Sequence, residues 1–425
     1  MNIKPILKRT TEKGGMLNSI MVLFSGSLIS QIVTIATAPI MTRVFTEEEI
    51  GEYTLLITAV ALFGSIICAK YDYSIVNEHE DKNIYPLIKL SLLVGFLLSA
   101  VLSIGYSIYV DVFCEMSIPL TLSLLIVFVF LFLTAVRNIL TSYNNREKDY
   151  GVISRTTISS TLAKDGTMVA FGFMRIGVVG LILSQMFFLV VGLKRQAKNL
   201  LPKVKAILQT DKESIKEIAN KHKKQPLYSA PANLLNNFSY SIVNIFISQL
   251  FGVASLAYYS LSFRLLGLPL SLISTNTSKA FYERASKDFA ATGSCRSIFI
   301  KMSLFLLCLA IPMVIILMLF SPMLCRIIFG PSWEVAGHYI QILAPMFGVR
   351  FIVSALTPSL TICNQQQYEF LCQALFVIAA IIVLIVGKVS GSINLFLIGM
   401  SISYSIIYVL YYFMMLKISE NKLSK

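Results

Sequence analysis

Carboxylates are scarce in this sequence. Asp and Glu number 22 against 36 Lys and Arg, and the charged residues together make up 14% of 425, where soluble domains carry about 25%. So thin a polar coat cannot cover a soluble core when 56% of the residues are hydrophobic, so the solvent of this chain is a bilayer. The positive excess does not mark a nucleic-acid binder, because the basic residues sit in short segments between apolar runs rather than on a soluble basic face. Three histidines (His79, His222, His338) lie too far apart for a helical metal pair, so no metal site is expected. The seven cysteines include no C-x-x-C pair. Cys114 and Cys325 fall in loops expected outside the cytoplasm, which leaves a disulfide or two unrelated small apolar residues as readings. No G-x-x-x-x-G-K-[ST] occurs, which excludes a P-loop.

What is present is a series of apolar runs of about 20 residues, each long enough for a hydrocarbon core of about 30 Å. They fall near 16–41, 52–76, 85–109, 119–143, 155–174, 178–193, 227–250, 255–281, 298–320, 336–362, 367–387 and 392–416. This predicts an all-α integral membrane protein with twelve transmembrane helices. With the N-terminus inside, 25 of the 36 basic residues fall in cytoplasmic segments, four in external ones (Arg43, Arg175, Arg326, Lys388) and seven within spans. That bias places both termini in the cytoplasm. The external loops are short, which disfavours a multi-span glycan polymerase and any enzyme with external chemistry. Trp333, after Gly330-Pro331, is the sole tryptophan and is expected as an interfacial anchor.

The segment 194–226 is the one long polar stretch, a basic cytoplasmic linker between 1–193 and 227–425. Leu201, Val204, Leu208, Ile215 and Ile218 recur in it at roughly helical spacing. It reads either as an amphipathic helix on anionic headgroups or as a solvated connector. "VFTEEEIGEYTLL" at 44–56 aligns with "LFGVASLAYYSLS" at 250–262, a shift of 206 residues. Each half holds six spans, an even number, so both enter the membrane in the same sense. This predicts two six-helix bundles related by a pseudo-two-fold axis along the membrane normal, an arrangement suited to alternating access around a central cavity.

Asn233, Asn237, Ser241, Asn244 and Ser248 fall on one face of the seventh span, and Ser27, Ser30, Gln31, Thr34 and Thr37 on one face of the first. The repeat shift superposes Gln31 on Asn237. Helix–helix hydrogen bonding explains such stripes, and so does lining of a polar cavity, to which Asn233, Asn237, Asn244 and Gln31 are assigned. Lys70, Lys89, Arg137, Lys164, Arg264, Lys279 and Arg350 lie inside spans, against Asp72 and Asp165 alone. Lys89 and Lys279 are near span ends and can snorkel. A charge facing lipid near mid-span costs at least about 2.5–3.5 kcal/mol, so Lys164, Arg264 and Arg350 are expected to face the interior. Lys164 and Asp165, being adjacent, point about 100° apart on a helix. One can face the cavity while the other bonds a neighbouring helix, or the two can form a structural pair. A net cationic interior asks for an anionic substrate and disfavours a drug or small-cation antiporter.

These features resemble the bacterial polysaccharide flippases of O-antigen (Wzx) type, in the multidrug/oligosaccharidyl-lipid/polysaccharide exporter superfamily. The similarity runs through "SQIVTIATAPIMTRVFTEEEIGEYTLLITAVALFGSIICAKYDYSIV", where "KYDYSI" is similar to the family's R-Y-[ED]-x-A-[IV]. It continues through "NNFSYSIVNIFISQLFGVASLAYYSLSFRLLGLPLSLIS" and "IIFGPSWEVAGHYIQILAPMFGVRFIVSALTPSL". Lys70 stands where the family has arginine, and "AKDG" at 163–166 matches no pattern of the family. The resemblance implies that an undecaprenyl-diphosphate-linked oligosaccharide, an O-antigen or related repeat unit of lipopolysaccharide biosynthesis, is moved from the cytoplasmic to the periplasmic leaflet of the inner membrane. A lipid II-type flippase is the alternative within the superfamily, although those typically have fourteen spans. Lys164, Arg264, Arg350 and Arg137 are then the candidate diphosphate ligands. Asp72 and Asp165 are candidates for ion coupling. No cofactor is implied beyond the membrane potential or a proton or sodium gradient. The implied partners are membrane lipids, a polysaccharide polymerase and a chain-length regulator.

Overall fold

Residues 16–420 are described in this computed structural model, apart from 79, 115, 364 and 366, with side chains from Ser25 onward apart from 77, 276, 279 and 370. His79, the side chain of Lys279, and the termini at 1–15 and 421–425 lie outside the described residues. Among those described, the chain is helical throughout, and nine stretches are long and apolar enough to cross a membrane. It is a multi-pass membrane protein. It divides into two compact units, Met1–Asn237 and Phe238–Lys425. The linker and the start of the seventh span therefore group with the N-terminal bundle.

Unit 1 contains α1 (Met16–Val44), α2 (Glu47–Phe63), α3 (Tyr71–Asn77), α4 (Ile84–Phe113), α5 (Leu120–Arg146), α6 (Tyr150–Phe173) and α7 (Val178–Val190). Its linker folds into α8 (Leu193–Ala197), α9 (Val204–Gln209) and α10 (Lys212–Lys221). The helix α11 (Ala230–Pro269) begins in unit 1 and ends in unit 2. Unit 2 adds α12 (Thr275–Thr292), α13 (Arg296–Phe329), α14 (Glu334–Leu356), α15 (Pro358–Ile362), α16 (Gln367–Ser390) and α17 (Ile393–Ser419).

Local sequence explains the helix starts. Thr46 caps α2 by accepting from Glu49 N–H at 3.3 Å while the Glu49 carboxylate accepts from Thr46 N–H at 2.9 Å. Glu47, Glu48 and Glu49 place negative charge at the positive end of the helix dipole. Adding the repeat shift of 206 to Thr46 reaches Gly252, where φ +83 and ψ 167 break α11 into two helices. Glycine adopts that conformation without strain. Two positions paired by that shift make comparable contacts: Tyr53 donates to Gln185 Oε1 at 3.0 Å in unit 1, and Tyr259 reaches Met400 Sδ at 3.9 Å in unit 2. Both tyrosines thus anchor to the last span of their own unit.

Membrane burial is inverted relative to a soluble core. On α4, Leu93, Leu97, Val101, Ile104 and Ile108 are exposed, while Ser91, Gly95, Ser99, Ser103 and Ser107 face inward every fourth residue. Small inward residues let helices approach closely, and a Cβ on Gly95 would stand 2.9 Å from the Ala135 methyl.

Three features differ from the sequence expectation. The second span is not continuous, because α2 stops at Phe63 and a turn runs to Lys70, with Ala69 and Lys70 at positive φ. The carbonyls left open there are met by side chains: Asn138 donates to Gly64 O at 2.8 Å and Asn237 to Leu62 O at 3.2 Å. Irregular backbone persists at membrane depth only with such partners. Trp333 is not an interfacial anchor. The turn at Gly330 (φ +116) folds its indole inward, 1% exposed, edge-on to Tyr258 at 5.4 Å. Cys114 and Cys325 are buried free thiols.

The linker is strapped to unit 1. Lys89 donates to Leu208 O at 2.7 Å and Thr210 O at 2.8 Å, so this lysine holds the linker backbone instead of snorkelling. Glu78, its side chain 2% exposed, is gripped by Lys221 Nζ and His222 Nε2, each at 2.9 Å. Burial alone would raise its pKa, but hydrogen bonds from Lys221, His222, the Glu80 N–H and Asn83 outweigh burial and hold it at about 2, below the ordinary 4.5. A depressed carboxylate stabilises the fold above its unfolded pKa, and that contribution is lost as pH falls from 4.5 toward 2. Limited proteolysis of the purified protein should therefore cut residues 201–224 faster at pH 3 than at pH 7. Glu78→Gln should show the fast cutting already at pH 7. Cutting that is equally slow in all three cases would contradict the grip.

Candidate functional site

In unit 1, four spans meet around three charged side chains, Arg137 of α5 and Lys164 and Asp165 of α6. Asp165 on α6 is 1% exposed and accepts from Thr34 Oγ1 of α1 at 2.8 Å. Lys164 Nζ comes to 3.3 Å from the other carboxylate oxygen, so the adjacent pair do meet. The long lysine stem wraps around the helix surface and closes the angle between the two Cα–Cβ directions. Arg137 on α5 donates to the Phe188 carbonyl of α7, and at 3.2 Å to Ser160 Oγ, four residues before Lys164. Its guanidinium lies over the Phe188 ring at 4.4 Å, and Lys164 Nζ is 5.9 Å from the same ring. Ser160 in turn donates to Val191 O at 2.8 Å. The cluster has two cations and one carboxylate, a net positive site inside the bundle, with the Lys164 side chain still 21% exposed.

In unit 2, Arg350 on α14 sits in an aromatic cage. Its guanidinium is 4.6 Å from the Tyr240 ring, 5.3 Å from Phe347 and 5.5 Å from Phe263. Tyr240 is held by a hydroxyl contact to Tyr408 at 3.3 Å, and Tyr404 donates to Ser239 O at 3.1 Å. Phe376 packs between these rings, 4.7 Å from Tyr408 and 4.9 Å from Tyr404. Among the described residues no carboxylate pairs with Arg350. Ring faces stabilise a desolvated cation by roughly 2 kcal/mol yet leave its N–H donors uncommitted to an acid. Such a group can take an anion.

The remaining predicted residues are distributed as follows. Arg264 follows Phe263 on α11, is partly buried and makes interactions of its own, as do Gln31 on α1 and Asn244 on α11. Asn233 donates to Ser229 O, in the turn just before α11, at 2.8 Å. Asn237 donates to Ser65 Oγ at 2.7 Å as well as to Leu62 O, so its amide repairs the broken second span. Asp72 is 8% exposed, and its Oδ1 is buried without a hydrogen-bond partner among the described residues. Unit 1 thus joins Arg137, Lys164 and Asp165 in one cluster. Arg350 belongs to unit 2 and to the cage there.

The cage aromatics Tyr240, Phe263, Phe376, Tyr404 and Tyr408 are absent from the sequence-based candidates. Tyr404 and Tyr408 are one helical turn apart, and Tyr240 lies one turn beyond Asn237. That spacing was the available signal.

The profile of a family described as "Polysaccharide biosynthesis protein" matches residues 40–338. No curated protein matches the chain. Among solved structures, the chain is similar to an inward-facing multidrug-resistance MATE-family transporter of the MOP superfamily, with 12% identity, TM-score 0.70, and coverage of 94% of this chain and 98% of that one. It is similar to the lipid II flippase MurJ in an inward closed conformation, with 16% identity, TM-score 0.71, and coverage of 94% and 90%. A MOP-superfamily transporter from Pyrococcus furiosus matches at 14% identity and TM-score 0.50, with coverage of 94% and 93%. At these identities the likeness is one of fold.

Proposed function

From its membership of the polysaccharide biosynthesis protein family, which the matched profile establishes, we propose that this chain is a flippase. Its substrate is an undecaprenyl-diphosphate-linked oligosaccharide, carried from the cytoplasmic to the periplasmic leaflet of a bacterial inner membrane that the chain crosses twelve times with both termini inside. The observation that carries this reading is Arg350, a mid-span cation caged by ring faces and paired with no carboxylate among the described residues. The Arg137–Lys164 cluster of unit 1 adds a second site of positive sign. Arginine meets diphosphate oxygens through parallel N–H bonds, and aromatic faces suit the apolar faces of sugar rings. The lipid tail stays in the bilayer throughout, so the protein has to shelter only the polar head.

The energy source follows from charge. Moving a negative charge outward across an inside-negative membrane releases about 2.3 kcal/mol per charge per 100 mV, so a diphosphate is driven by voltage. If a proton is also exchanged, Asp72 suits the role better than Asp165. Its Oδ1 has no hydrogen-bond partner among the described residues, whereas both oxygens of Asp165 are engaged by Thr34 and Lys164.

Expression in a strain lacking its own O-antigen flippase tests the proposal. Surface glycan should return, and lipid-linked repeat units should no longer accumulate on the cytoplasmic side. Undiminished accumulation, with the protein present in the membrane, would refute it.

A further inference from the structure

The linker has two faces. Ile207 and Ile218 are buried against unit 1, at 5% and 3% exposure, and Lys89, Glu78 and Tyr143 hold the strap from the bundle side. On the other side Leu201 (54% exposed), Val204 (39%) and Leu208 (67%) stand side by side at helical spacing. Leu227 and Tyr228 are also exposed, where the chain re-enters an apolar stretch. Charge surrounds this patch. Residues 194–225 hold ten Lys and Arg against three Asp and Glu, and Lys194, Arg195, Lys198, Lys205, Lys212, Lys216, Lys223 and Lys224 are exposed.

We propose that this outer face is a lipid-binding surface that takes the anionic headgroups of the cytoplasmic leaflet. Both ends of the strap are fixed at the bilayer surface, since one apolar stretch ends at Ala197 and the next begins at Gln225. Anchored at both ends and held to the bundle by Lys89 and Glu78, the segment stays at the membrane surface. Its leucines reach the acyl boundary while Lys198, Lys205 and Lys212 meet phosphates, the division of labour of an interfacial amphipathic helix. A soluble acidic protein would satisfy the lysines but not the apolar residues at this depth. The inference rests on the cytoplasmic assignment of the linker and is independent of what the protein transports.

The test uses the full chain in nanodiscs and the variant Leu208→Trp, whose new indole is read against the constant background of the buried Trp333. In bilayers containing phosphatidylglycerol, the added emission should be blue-shifted and quenched by headgroup-labelled lipid several-fold more than by aqueous iodide. In pure phosphatidylcholine, and when Lys198, Lys205 and Lys212 are changed to Glu, lipid quenching should fall and iodide quenching rise. Because these residues are exposed, the substitutions leave the bundle intact, which size-exclusion chromatography verifies. Iodide quenching that dominates in both bilayers overturns the proposal, as does lipid quenching of equal strength in both. Neither outcome bears on flippase activity, which complementation reads separately.

Discussion

Arg350→Ala should abolish glycan display while the protein still inserts and purifies as a folded species. Removing a desolvated charge that meets a charged ligand costs about 2–5 kcal/mol, so translocation should fall by at least roughly 30-fold. The substitution also opens a void among Tyr240, Phe263 and Phe347, so Arg350→Met, which fills much of that volume, separates packing from charge. Methionine should keep the folded yield and still fail in transport. Arg350→Lys should recover part of the activity, because the charge returns without the planar fork. Arg264→Ala, combined with Arg350→Ala, should leave no display. Normal display from that double variant would eliminate the anion site.

The second large effect is expected in unit 1. Asp165→Ala leaves Lys164 without its carboxylate and Thr34 without its acceptor, inside the bundle. Breaking a buried ion pair from one side typically costs about 3–5 kcal/mol, because the surviving charge is uncompensated. The single variant should lose most of its thermal stability in detergent, and Lys164→Ala should lose a comparable amount. Replacing both residues should restore much of the stability, since the two effects are coupled. Transport separates the roles. If Lys164 serves the diphosphate, the stable double variant stays inactive and Lys164→Arg works nearly as well as lysine. Recovery of transport together with stability would assign the pair to structure alone.

The all-helical membrane character was legible, because twenty apolar residues have few other uses; among the described residues nine stretches are long and apolar enough to cross, against the twelve expected. The sequence did not reveal the break before Lys70. Neither Gly nor Pro marks Ala69 or Lys70, and the carbonyls opened at Gly64 and Leu62 are met by Asn138 and Asn237, distant in sequence. The shift of 206 residues was readable, but the breaks at Thr46 and Gly252 that it connects were not picked out. Interior cations were also readable, since charge in an apolar run is conspicuous. Their partners were not. Side-chain reach, rather than helix angle, decided that Lys164 meets Asp165, and polar-residue periodicity passed over the tyrosines that surround Arg350. Trp333 was misread for a related reason: its burial follows from a turn at Gly330 and from Tyr258, contacts that no local pattern announces.

The central claim is that this chain carries a polyprenyl-diphosphate-linked oligosaccharide across a bilayer. It is tested most directly in reconstituted vesicles holding such a lipid with a fluorophore on its sugar, using a reductant that cannot cross the membrane. Without protein, only the outer-leaflet pool should be bleached. With the wild-type chain, bleaching should run to completion, faster when the imposed voltage favours outward movement of negative charge, and Arg350→Met should behave like protein-free vesicles. Wild-type vesicles that bleach only the outer-leaflet pool, with the protein shown to be folded in them, would contradict the account.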